Sequence, residues 1–104
     1  MGNAKVYFTN MRAKAGESLL KKLKRLMKQA GFEMIDFDGK FTAVKIHFGE
    51  PGNLAYLRPN YAKAVCDYIK DLGGKPFLTD CNTLYVGGRK NALDHLDSAY
   101  ENGY

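Results

Sequence analysis

The stretch FTAVKIHFGEPGN, Phe41–Asn53, decides how the rest of the chain is read. Its first part alternates, with Val44, Ile46 and Phe48 on one side and Ala43, Lys45 and His47 on the other, the two-residue period of a strand. The GEPGN that follows is built from the residue types that turn a chain. A lysine and a histidine on one face of a strand that breaks into a turn predict a polar rim at the edge of a sheet.

Downstream of the turn, a helix is expected near Asn60–Leu72, with Tyr61, Val65, Tyr68 and Leu72 on one stripe and Gly73-Gly74 as its stop. KPFLTD (Lys75–Asp80) predicts another strand, and CNTLYVGGRK a loop into a last helix. Asn91 is placed to cap that helix, with Asp94 three residues on as a partial capping box. Its apolar stripe is Ala92, Leu93, Leu96, Ala99 and Tyr100; His95 borders the stripe and is read as structural. Upstream, KVYFT (Lys5–Thr9) is a short β-rich run. SLLKKLKRLMKQAG then places apolar residues at 19, 20, 23, 26, 27 and 30, an amphipathic helix stopped by Gly31. An Asp-Gly hairpin through MIDFDGKF is the second choice for the segment before Phe41.

The order βαβαβα predicts an α/β fold, a three-layer unit with a small parallel sheet, helices on the faces and right-handed crossovers. The 104 residues allow one domain. ENGY falls where another helix-to-strand turn should begin. The expectation is a single α/β domain over 1–104, the N-terminal portion of a longer protein, or a homodimer that pairs through a sheet edge.

Composition narrows the class. No run approaches the roughly 18 apolar residues of a membrane span, and MGNAKVYF lacks a signal peptide's apolar stretch, so a cytoplasmic, non-membrane protein is expected. Cys66 and Cys81 form neither a disulfide framework nor a CxxC pair. The net charge is +5, but five of the 16 cations (Lys21, Lys22, Lys24, Arg25, Lys28) lie between Ser18 and Ala30 with no acid among them. The other 11 cations meet 11 acids. The excess is one helix face, with no aromatic residues interleaved, which disfavours nucleic acid as a partner.

In such a sheet, ligands bind beyond the carboxyl ends of the strands. The three loops there bring together Asn10, Arg12, His47, Glu50, Asn53, Arg58, Asp80, Cys81, Asn82, Thr83, Arg89 and Lys90. A buried Lys45 would need a counter-charge, and Asp80 is the expected one. The two are read either as an ion pair that holds the loops or, with His47, as a cationic rim for an acidic ligand group. Gly87, Gly88, Arg89 and Lys90 precede a helix N-terminus as a phosphate or carboxylate seat would. His47, Asp80 and Cys81 are weaker metal candidates, and no metal is expected in this chain. No spacing reveals a reaction, so whether the chain is an enzyme stays open.

The segments AKVYFTNMRAKAGESLLKKLKRLMKQAG and FTAVKIHFGEPGN through SAYENG together resemble the N-terminal part of the uncharacterised iron–sulfur-centre proteins. KIHFGEPGN and TDCNTLYVG are the most specific parts. The resemblance implies a domain of unknown function often joined to a ferredoxin-like module, with a 4Fe-4S cluster in a downstream segment and a redox or electron-transfer role. The partner would be the remainder of the chain or that module. Lys45, His47 and Asp80 mark the shared domain; Cys66 and Cys81 do not match cluster ligands. A free-standing protein or enzyme that binds a phosphate or carboxylate compound is the alternative.

Overall fold

The structure, a computed structural model, describes residues 2–104. The elements are α1 (Leu19–Gln29), a short 3-10 helix (Phe32–Met34), β1 (Phe41–Lys45), α2 (Pro59–Asp71), β2 (Lys75–Thr79) and α3 (Ala92–Glu101). β1 and β2 are parallel, with Ala43 opposite Phe77 and Lys45 opposite Thr79. The α/β class and the parallel crossover are those the sequence predicts.

Local residues set the helix ends, Gly31 and Asn91 as read from the sequence. Ser18 accepts the Lys21 N–H at the start of α1, and Gly31 takes φ 91° just past its end. Pro59 opens α2, whose fixed φ suits the first helical position. Asn91 accepts the Leu93 and Asp94 N–H groups at the start of α3. Between α2 and β2, a Cβ on Gly74 would lie 2.5 Å from Ile69 Cγ2, so only glycine lets the chain turn back this tightly.

The main core lies where α1 and α2 pack together, α2 meets β2, and the 3-10 turn closes one side. Phe37, Ala62, Tyr68 and Ile69 are buried. Phe32 stacks on Tyr68 at 5.9 Å and tilts against Phe37 at 5.4 Å, while Tyr68 donates to Glu33 Oε1 at 3.0 Å. Burying a side chain such as Ile69 contributes roughly 1.5–3 kcal/mol. A second cluster, Phe48 against Tyr104 and His95, sits at the strand ends and positions the site.

Three features depart from expectation. The sheet has two strands, because Lys5–Thr9 is irregular, with Val6 and Phe8 exposed. An alternating pattern becomes a strand only when a neighbour takes up its backbone groups, and this run has none. The arm is instead held just beyond it. Lys22, on α1, is buried, and its Nζ donates to Asn10 O, Asn10 Oδ1 and Arg12 O, all at 2.8 Å. Second, Val44, Ile46 and Leu78 are half-buried while Phe41, Ala43 and Phe77 are exposed, so among the described residues one sheet face carries the packing and the other is open.

The third departure is the rotation of α3. Its buried residues are His95, Ser98 and Ala99, whereas Leu93, Leu96 and Tyr100 of the expected apolar stripe face outward. The inner neighbours of α3 explain this, because they are polar. Ser98 donates to Gly88 O at 2.7 Å, and His95 meets Asn82 Oδ1 at 2.9 Å.

Candidate functional site

β1 and β2 end side by side, joined past β1 by the Ile46 N–H donating to Thr79 O at 2.9 Å. Asp80 follows directly, and its side chain is only 5% exposed. It accepts the Cys81 N–H at 2.8 Å and the Phe48 N–H at 3.4 Å, which ties the two strand-end loops together. Three cationic or ionisable groups surround it: Lys45 Nζ at 3.4 Å, Arg89 Nη1 at 3.6 Å and His95 Nε2 at 3.4 Å. Burial pushes the Asp80 carboxyl up, but the Cys81 and Phe48 donors and the Lys45 ammonium outweigh it, and the net shift is downward.

The predicted Lys45–Asp80 pair is therefore present with its roles exchanged. Asp80 is the buried charge, and the Lys45 side chain is 65% exposed. The reason is length: a lysine stem carries its ammonium to solvent, while a carboxylate one carbon from the backbone stays where the strand ends.

The glycine turn Gly87–Gly88 is packed against the chain's own anion. Glu50 accepts the Gly88 N–H and the Arg89 Nε–H, both at 2.6 Å, and Tyr85 OH at 3.4 Å. Arg89, buried, also donates to Tyr85 OH at 2.7 Å. The Arg89 guanidinium holds the Glu50 carboxyl below its ordinary range, and Glu50 in turn raises Arg89. The glycines are required by close approach. A Cβ on Gly87 would lie 2.6 Å from Glu50 Oε1, and one on Gly88 would lie 2.7 Å from Pro51 Cγ and 2.8 Å from Ser98 Oγ. Of the donors expected to bind an external phosphate or carboxylate, the Gly88 N–H and the Arg89 Nε–H are engaged by Glu50, while Lys90 is exposed.

Beside these groups, β2 and α3 flank a cleft of about 460 Å³. Phe48, Leu78, Leu96, Ala99 and Tyr104 give it apolar walls, and Asp80, Asn82 and His95 form its polar end. Phe48 and Tyr104 meet edge-on at 5.1 Å. Burial pushes the Tyr104 phenol up. Asn102 Nδ2 donates to Phe48 O at 2.9 Å and Gly49 O at 3.1 Å, anchoring the loop after β1 to the end of α3.

The sequence model of an uncharacterised family, the domain of unknown function DUF362, matches residues 42–104, more than half of the chain. The chain belongs to the DUF362 family. Comparison with curated proteins and with solved structures returns no match.

The match takes in every strand-end candidate from Lys45 to Lys90 and leaves out α1 and the Lys22 anchor. The DUF362 strand ends bring Lys45, Glu50, Asp80, Asn82, Gly87, Gly88 and Arg89 into one connected set. Others serve locally or lie outside it. His47 is exposed and accepts the Gly49 N–H on Nδ1 at 2.8 Å; Asn53 Oδ1 accepts the Ala55 N–H at 2.8 Å in a turn. Cys81 and Lys90 are exposed. Asn10 and Arg12 belong to the Lys22 anchor. Among the described residues no three His, Cys, Asp or Glu side chains are gathered to hold a metal ion.

A four-iron cluster, which the resemblance implies for the wider protein, takes four thiolates. The DUF362 chain offers Cys66, half-buried on α2 with its thiol pushed up by burial, and Cys81, exposed in the loop after β2. These residues do not fit such a cluster. His95, read from the sequence as structural, is buried at the strand ends beside Asn82.

The charge run on α1 is largely paired across elements. Lys24 meets Asp71 at 2.7 Å, Arg25 meets Glu17 at 3.0 Å and Lys28 meets Glu33 at 3.4 Å. These acids lie outside the run.

Proposed function

We propose that this chain is the α/β part of an iron–sulfur protein with a redox or electron-transfer role, located in the cytoplasm. Its strand-end rim would face the segment that carries the cluster, a ferredoxin-like module of the same protein. One observation carries the reading: Leu93, Leu96 and Tyr100 on α3 are 75%, 65% and 81% exposed. Leu84 and Val86, in the neighbouring loop, are exposed as well. A single exposed leucine is ordinary, whereas an apolar stripe at helical spacing marks a surface that another body covers. The resemblance at KIHFGEPGN and TDCNTLYVG supports the choice of that body. A small anionic ligand at the rim belongs to the same reading, met by the exposed side chains of Lys45, His47 and Lys90.

The test is to read the coding frame past Tyr104 and to measure iron and acid-labile sulfide, under anaerobic conditions, on the 104-residue chain and on the longer product. A cluster on the longer protein and none on this chain is expected. A stop codon directly after Tyr104, or stoichiometric iron on this chain, overturns the reading, and the phosphate- or carboxylate-binding alternative takes its place.

A further inference from the structure

β2 is paired along one edge only. The Lys75 N–H donates to Lys40 O at 2.8 Å and Thr79 O accepts the Ile46 N–H at 2.9 Å, so the backbone of residues 75, 77 and 79 turns toward β1. By the alternation of a parallel ladder, Pro76 O, Leu78 N–H and O, and the Asp80 N–H point the other way, and among the described residues no backbone group meets them. Pro76, which has no N–H to offer, stands at such an outward position. A groove follows this edge. The β2–α3 cleft borders Leu78, Thr79 and Asp80, and a second hollow of about 640 Å³ borders Pro76, Phe77 and Leu78, with Cys66 and Lys70 of α2 on its other wall. Leu78 and Tyr104 line both and no β1 residue lines either, so the two hollows run on along β2. A groove of strand length beside free ladder groups has the shape of one more strand.

The chain carries a segment to match. Lys5–Thr9 is as long as β2, has a strand's alternation, and meets no backbone partner among the described residues. Val6 and Phe8, on one side of it, are 88% and 85% exposed. Seated beside β2 in the register that puts them on the Leu78 side, they meet the apolar wall of Leu96, Ala99 and Tyr104. In its own copy this arm lies elsewhere. Lys22 pins Asn10 and Arg12 to α1, and α2 stands between, with Lys63 and Asp67 bordering the α1 side as well as the groove. At roughly 150–250 Å² for a buried aromatic ring, Val6, Tyr7 and Phe8 remove on the order of 400 Å² from one arm and a similar area from a groove. Two exchanged arms then bury on the order of 1,600 Å², the usual size of a stable interface.

We infer that two copies of this chain exchange their arms, Lys5–Thr9 of each adding as a strand to the free edge of β2 in the other. The exchange is reciprocal, so it closes at two copies and leaves no outer edge of β2 open. Ladder bonds supply the affinity, and Val6 and Phe8 fix which side of the arm enters the groove. The interface is independent of the iron–sulfur reading and of the anion rim.

The test is sedimentation velocity of the full chain from micromolar to millimolar concentration, with hydrogen exchange read at the Leu78 and Asp80 amides. The unaltered chain should run as a dimer. Val6→Lys with Phe8→Lys, at two exposed positions, should run as a monomer with an unchanged far-UV spectrum, and both amides should exchange on the order of tenfold faster in it. A synthetic peptide of residues 4–10, AKVYFTN, should bring the unaltered chain to monomer size while the Leu78 amide stays slow. If the double variant does not fold, the peptide competition decides alone. A monomer at every concentration, whether its groove is open or filled by its own arm, overturns the inference. So does a dimer that survives the double variant, as association through the α3 stripe would, or one that the peptide leaves intact.

Discussion

Replacing Asp80 by Asn keeps the size and removes the charge at the point where both strand-end loops meet. The cost can be worked from the contacts. The carboxylate accepts one N–H on each oxygen, from Cys81 and from Phe48, and an amide offers only one acceptor. One of the two N–H groups is therefore left opposite an NH₂ donor, and the 8%-exposed Arg89 loses one of its two counter-charges. Together these put D80N at about 2–4 kcal/mol below the unaltered chain. Lys45→Ala removes a partner whose side chain is 65% exposed, and exposed pairs contribute roughly 0–1 kcal/mol. The expected order is D80N far below K45A.

The pH dependence adds an independent check. The Asp80 carboxyl lies below its ordinary 3.8 in the folded chain, so its contribution is fully present above that value and fades as pH falls through the folded pKa. Urea midpoints followed by far-UV circular dichroism, for the unaltered chain and D80N, should differ most near neutrality. The gap should narrow in acid over the range where both still fold. At a typical roughly 4–8 °C per kcal/mol, the melting temperature of D80N should fall by roughly 8–32 °C. Two results would refute the reasoning: K45A as damaging as D80N, or a D80N gap that does not change on acidification.

Gly88→Ala should cost about 1–3 kcal/mol through the forced contacts with Pro51 and Ser98, whereas Gly2→Ala, which meets nothing within 4 Å, should leave the unfolding midpoint unchanged. Lys22→Met should cost about 1.5–3 kcal/mol by orphaning the Asn10 and Arg12 acceptors, and limited proteolysis near Arg12 should quicken. Glu50→Gln should flatten the acid limb of the stability curve: Glu50 sits below its ordinary 4.5, so the unaltered chain loses that contribution as pH falls through the folded value. Equal acid limbs for the two proteins would count against the Arg89 bond as its cause. Leu93→Ser with Tyr100→Ser should change stability by no more than about 0.5 kcal/mol, and reduced self-association in sedimentation velocity would support α3 as a covered surface.

What the sequence disclosed is mostly local. Gly31, Gly73 and Asn91 mark helix boundaries through their own conformations or bonds to residues only a few positions away, and those signals are complete within the segment. The strand FTAVK was legible because its alternation continues across two faces of unequal burial. KVYFT carries the same alternation and forms no strand, because pairing depends on a neighbour elsewhere in the chain. The Lys45–Asp80 pair followed from parallel register, but which partner is buried depends on the reach of each side chain. Gly87-Gly88 matched an anion-binding pattern for a sound reason, since its donors do hold a carboxylate. That the carboxylate is Glu50 was hidden by the 38 positions between Glu50 and Gly88.

The orientation of α3 joins these points. Periodicity finds an apolar stripe, and the usual rule turns that stripe toward the core. Here the inner side is set by polar partners, Gly88 O for Ser98 and Asn82 Oδ1 for His95, bonds that would be lost if the helix rolled to bury Leu93 and Tyr100. A buried hydroxyl or imidazole left unmet costs about as much as burying one leucine contributes, so the polar arrangement holds. The consequence is that α3 turns His95 and Ser98 toward the strand ends while Leu93, Leu96 and Tyr100 remain exposed. The same rotation that brings His95 to Asp80 thus exposes the surface on which a covering module would sit.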